Sequence, residues 1–207
     1  MQDSLGKDGN GHTATVSLFQ TFLWDMFSVF GIFTATCCLT LHRAGLNDLR
    51  TPISIEYAQG NRLAIIFFFT SLGLILVTGL LYRSYGGMME SLLLFGALLF
   101  LAIVIASKPH SIIHFYSYYA TVVVALLAPL FAACRLKMWS CVLGLLSISI
   151  TVILLLNWAA TTDLGIGGFG IAQRAWFIVA WLSNASVLVL CQQVALSRET
   201  AAARLTG

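Results

Sequence analysis

Leu63-Ala-Ile-Ile-Phe-Phe-Phe-Thr-Ser-Leu-Gly-Leu-Ile-Leu-Val-Thr-Gly-Leu-Leu-Tyr82 is an apolar run with no charged side chain in it. Its length matches the ~20 residues an α-helix needs to cross a hydrocarbon core of ~30 Å. Runs of the same kind recur on either side of it, at Leu18–Leu41, Met88–Ala106, Ile112–Cys134, Met138–Ala159 and Ala175–Leu196. The runs are continuous and do not alternate with polar residues, which argues against a membrane-spanning sheet. The sequence therefore predicts an all-α protein, an integral membrane bundle of six transmembrane helices. Residues 1–17 read as a disordered N-terminal tail, 18–197 as the transmembrane domain and 198–207 as a short C-terminal tail.

Composition supports this division. Of the 207 residues, 59% are hydrophobic and only 9% are charged. A soluble domain carries about 25% charged residues, so no separate soluble domain is expected. The net charge of +3 is small and spread along the chain, which excludes nucleic acid as a partner. The five cysteines, Cys37, Cys38, Cys134, Cys141 and Cys191, lie in or at the ends of apolar runs, and none forms a Cys-x-x-Cys pair. They read as small apolar packing residues. The first apolar run is longer than the core of a cleavable signal and contains Asp25, so it is expected to be retained.

Six spans place both termini on one side, here termed the first face. That face holds Lys7, Arg83, Arg135, Lys137, Arg198 and Arg204, several of them in short turns. Basic residues in short loops favour the cytoplasm, so cytoplasmic termini are expected. The opposite, second face collects His42, Arg43, Asp48, Arg50, Glu56, Tyr57, Arg62, His110, His114, Asn157, Asp163, Gln173 and Arg174. Its connections are long for so small a protein, and long loops more often carry function. A site is therefore expected at the second-face mouth of the bundle.

Several groups of residues compete for that role. His110 and His114 are four apart on one helix and face the same way. With His42 and Asp163 they would suit zinc or a hydrolytic site, but the local ligand spacing of a zinc hydrolase is absent. No metal and no cofactor is implied. Phe115, Tyr116, Tyr118 and Tyr119 read as an interfacial aromatic belt. Asp25 is a costly intramembrane acid and reads as a structural polar contact to Arg83, Lys137, Gln192 or Gln193. Asn184, Ser183 and Ser186 read as ordinary helix-to-helix hydrogen-bonding residues. Gly165-Ile-Gly-Gly-Phe-Gly170 lacks the Lys-Ser/Thr ending of a phosphate loop. It reads as a flexible, lid-like connector.

Gly170-Ile171-Ala172-Gln173-Arg174, followed by a span that begins Ala175-Trp176, resembles a phrase before the last helix of a six-span superfamily. That group includes the DRAM autophagy modulators, the Sfk membrane proteins, the FRAG-type GPI-anchor remodelling proteins and a bacterial branch of unknown function. Pro52-Ile53-Ser54 in the first connection and His114 near the start of the fourth span are similar too. The acid that usually follows Ile-Ser in the group is missing, since Ile55 stands there. The resemblance implies membrane-lipid handling or membrane homeostasis.

The favoured expectation is a protein that handles or senses membrane lipid. Arg62, His114, Asn157, Asp163 and Arg174 would hold a headgroup at the second-face mouth, because arginine donates two parallel hydrogen bonds to phosphate. The competing readings are an intramembrane hydrolase using His42, His110, His114 and Asp163, a small transporter, and an accessory subunit of a membrane complex. Membrane lipids are the expected partners, with a second copy or another membrane protein as further candidates.

Overall fold

The computed structural model describes residues 9–40, 53–109, 111–161 and 166–206. Among these residues the secondary structure is entirely helical. In chain order the helices are α1 (Gly9–Thr40), α2 (Ile53–Ala58), α3 (Arg62–Ser84), α4 (Met88–Ala106), α5 (Ile112–Arg135), α6 (Trp139–Thr161) and α7 (Ile166–Thr206). Five apolar segments are long enough to cross a membrane: Leu18–Leu39 in α1, all of α3, α4 and α5, and Gln173–Arg204 in α7. The chain is a multi-pass integral membrane protein. α6 has 23 residues, and its described apolar part, Trp139–Leu155, is shorter than the other five.

Local chemistry sets the helix ends. Asn61 accepts from Leu63 N at 3.0 Å and so caps α3, as a short polar side chain does at an N-cap. Ser111 does the same for α5, accepting from His114 N at 3.1 Å. Gly86, at φ 76°, turns the chain between α3 and α4, a left-handed conformation open to glycine at little cost.

α1, α3, α4, α5 and α7 form a closed ring, each packed on the next, with α7 returning to α1 and also touching α3. α6 lies outside the ring, against α5 and α7. Gly31 of α1 lies close against α7. A Cβ there would come within 2.5 Å of the Trp181 indole on α7. Small residues at helix interfaces allow such approach where no hydrophobic force drives helices together in lipid. Ring contacts between Phe67 and Phe177 (5.6 Å) and between Tyr118 and Trp176 (5.5 Å) join α3 and α5 to α7.

The structure departs from the sequence expectation in three places, and helix also covers part of both terminal segments. The first connection contains a helix, α2, whose Ile53, Ser54 and Glu56 are buried. The glycine-rich segment is not a loose connector, because residues 166–170 form the first turns of α7. Arg174 supports those turns by donating from Nη1 to Gly170 O at 2.9 Å. α1 begins at Gly9, within the segment read as a tail, and α7 continues to Thr206. Asp25 is exposed on the outer surface of α1. The buried acids among the described residues are Glu56 and Glu90.

Candidate functional site

The ring encloses a cavity of ≈ 50 Å³, taken as the volume open to the centre of a water-sized sphere. A single water needs roughly 10–15 Å³ on that measure. Folded interiors hold few voids larger than one water, so this cavity is an exception to dense packing.

Each of the five ring helices contributes to its wall. Phe27 comes from α1, Phe68, Ser71 and Thr78 from α3, Leu94 and Leu101 from α4, and Tyr118 and Ala125 from α5. α7 presents Gln173, Trp176, Phe177, Ala180, Trp181 and Asn184, a face that repeats every three or four residues. The distance along α7 from Gln173 to Asn184 is roughly 16 Å at ~1.5 Å per residue. That is about half of a ~30 Å hydrocarbon core. The cavity therefore runs inward from the second-face end of α7 over a distance equal to about half of such a core.

Its wall is apolar with a few polar atoms at fixed places. Ser71 donates to Phe67 O and Thr78 to Leu74 O, each at 2.6 Å, so both hydroxyls retain only acceptor capacity. Asn184 forms the floor. Its Nδ2 donates to Ala180 O at 2.8 Å and to Ala125 O at 3.4 Å. The second of these bonds has a cause in α5. Pro129 lies inside that helix and has no N–H to give the carbonyl four residues earlier, which is Ala125 O. The asparagine amide supplies the missing donor. Flipping the amide would set its oxygen against two carbonyls, so its orientation is determined. Asn184 Oδ1 is then left buried without a hydrogen-bond partner among the described residues, and so are the indole N–H groups of Trp176 and Trp181.

At the second-face end, Gln173 Oε1 accepts from Ile53 N at 2.7 Å and so ties α2 to the top of α7. Arg174 is buried and donates from Nε to Cys38 O at 3.0 Å, which clamps α7 to the end of α1. His114 is buried with Nδ1 3.1 Å from Val104 O and 3.1 Å from Ser107 Oγ. A ring nitrogen beside a carbonyl carries the proton, so His114 donates to the last turn of α4. Glu56 accepts from Asn61 Nδ2 at 2.9 Å.

At the first-face end, Arg135 Nε donates to Glu90 Oε1 at 2.8 Å, with the glutamate side chain 3% exposed and the arginine 35%. Glu90 lies in the first turn of α4 and Arg135 in the last turn of α5. Each charge also complements the dipole of its own helix. Trp24 Nε1 donates to the Tyr85 hydroxyl at 2.9 Å across α1 and the turn after α3. Burial pushes the Tyr85 phenol above its ordinary range, against the pull of the Trp24 N–H.

Of the residues expected at the second-face site, Arg62 is exposed at the start of α3, and His114 and Arg174 are buried in α5 and α7. Asn157 belongs to α6, and its side chain lies outside the described residues, as do His42, His110 and Asp163. Among the described residues, no group of three or more His, Cys, Asp or Glu side chains is placed to hold a metal.

The cavity residues are the part that sequence reasoning missed. Asn184 looks like any helix-to-helix asparagine. Its signal was the spacing of Gln173, Trp176, Ala180 and Asn184 along one face, together with the buried Pro129 opposite. No family model matches the chain, and no curated protein or solved structure does either.

Proposed function

We propose that this membrane protein handles a membrane lipid, admitting one apolar chain of it into the ring cavity from the second-face leaflet. The observation that carries this reading is the length and depth of the cavity. It runs about the thickness of one leaflet, it is mostly apolar, and its upper end lies at Gln173. A lipid whose chain fills it would leave its headgroup at the second-face mouth. Arg62 is exposed there and reaches headgroup depth by snorkelling. Arg174 and His114 keep the ends of α7 and α5 in place beneath it. In this reading α6 completes six spans, and the short basic turns at Arg83 and at Arg135 and Lys137 face the cytoplasm. The resemblance to the six-span lipid-handling group supports the same assignment.

Native mass spectrometry of the full chain, released from mild detergent, tests it. The wild-type protein should retain lipid. Ala180→Phe, which places a ring in the cavity, should lose most of it. Arg62→Ala should keep the bound chain but shift the retained lipids away from anionic headgroups. Equal retention in wild type and Ala180→Phe overturns the cavity as the lipid site.

A further inference from the structure

The floor of the cavity carries information that a plain acyl chain would not use. A saturated chain satisfies apolar walls and nothing else. Here the floor holds a fixed acceptor, Asn184 Oδ1, buried without a donor among the described residues. Its amide hydrogens are committed to Ala180 O and Ala125 O. Asn184 is 5% exposed, and Oδ1 has no partner among the described residues. The nearby Thr78 and Ser71 hydroxyls donate to their own helix, so neither provides a hydrogen to the asparagine oxygen. The asparagine oxygen is therefore an acceptor without a donor, while the unpaired donors in the cavity lining are the indole N–H groups of Trp176 and Trp181. A buried acceptor without a donor costs the full desolvation of that group, and in lipid nothing else repays it.

We propose that the cavity selects a chain bearing a hydroxyl at mid-bilayer depth, with that hydroxyl donating to Asn184 Oδ1. The ligand class is a hydroxylated acyl chain or a long-chain alcohol. A carbonyl at the same position leaves Asn184 Oδ1 unsatisfied, because it has no hydrogen to donate. The hydroxyl also retains lone pairs for a second contact. This rests on the proposed lipid cavity and sharpens it from an apolar chain to one with a donor at a stated depth.

The test is a competition read by native mass spectrometry. The delipidated full chain is mixed with equal amounts of stearic acid, mid-chain hydroxystearic acid and the corresponding mid-chain ketostearic acid. Their masses differ, so one spectrum gives the ratio of bound species. The wild-type protein should favour the hydroxy acid over stearic acid roughly fivefold, the ratio expected of one net hydrogen bond. The keto acid should show no such gain. Asn184→Leu should bind stearic acid and lose the preference. Should that variant fail to fold, Pro129→Ala/Asn184→Leu carries the same comparison, since the restored backbone N–H then satisfies Ala125 O.

A keto acid bound as well as the hydroxy acid overturns the donor requirement. Equal binding of hydroxy and stearic acids, as when a water occupies the floor, overturns the hydroxyl and leaves the lipid cavity standing. A preference that survives in Asn184→Leu assigns it to another residue and overturns the proposal. Binding of none of the three acids overturns this proposal together with the lipid reading beneath it.

Discussion

At the first-face end of the ring, Glu90 is buried and meets Arg135 at 2.8 Å, so a charge taken out of water has its partner beside it. Deeper in the ring, Asn184, in the wall of the cavity, holds its amide hydrogens against two backbone carbonyls and leaves its oxygen buried with no partner among the described residues. Both regions are buried and both are built from helix ends or helix breaks. In the first, polarity is paired within the protein and fixes two helices. In the second, it is fixed in direction but left for something else to complete. That difference separates a closed polar contact from an open one. Tyr82 and Ser91, near Glu90, also keep unpartnered oxygens, but neither lines the cavity.

The largest expected effect breaks the fastening. Arg135→Ala leaves Glu90 buried without its cation. Losing one partner of a fully buried pair costs ~3–5 kcal/mol, while exposed pairs are worth far less. With Arg135 about a third exposed, the expected loss is about 2 kcal/mol, between those limits. Denaturation in mixed micelles measures it. Glu90→Leu/Arg135→Met should lose less than Arg135→Ala alone. A single substitution no worse than the double would show that the pair fastens nothing.

The next effect sharpens the boundary between structure and site. Asn184→Leu should cost about 1 kcal/mol in the wild-type background, because Ala125 O loses its donor. In the Pro129→Ala background the backbone N–H returns and the cost should fall close to zero. That non-additivity is the signature of a shared partner. Additive losses would separate the asparagine from the proline and remove the argument that fixes its orientation.

The smallest effect concerns Asp25, which is exposed and in no ion pair among the described residues. Asp25→Asn should change stability by no more than about 0.5 kcal/mol and leave lipid retention intact. A large loss of either would restore Asp25 to a working role.

Much of the fold was legible because length and hydropathy alone decide membrane crossing. The runs around Phe67, Leu94, Tyr118 and Trp176 correspond to α3, α4, α5 and α7. The turns were less legible. Gly167, Gly168 and Gly170 suggested a loop because glycine disfavours helix, yet the guanidinium of Arg174, four residues beyond Gly170, stabilises that turn from the side. Glu90 was hidden at the start of an apolar run and its partner stood 45 positions away. The cavity was the least legible part. It arises from a ring of five helices, and no single helix carries a mark of the space it will share.

The order of the ring has a consequence for assembly. α7 follows every other ring helix in the chain, and it supplies as many residues to the cavity wall as α3 does. Until α7 enters the bilayer, α1, α3, α4 and α5 surround an open groove facing lipid. The cavity is therefore made last, in the act of closing. On the proposed lipid reading, a lipid lying in that groove during synthesis would be enclosed as α7 closes the ring, ahead of any exchange through the second-face mouth.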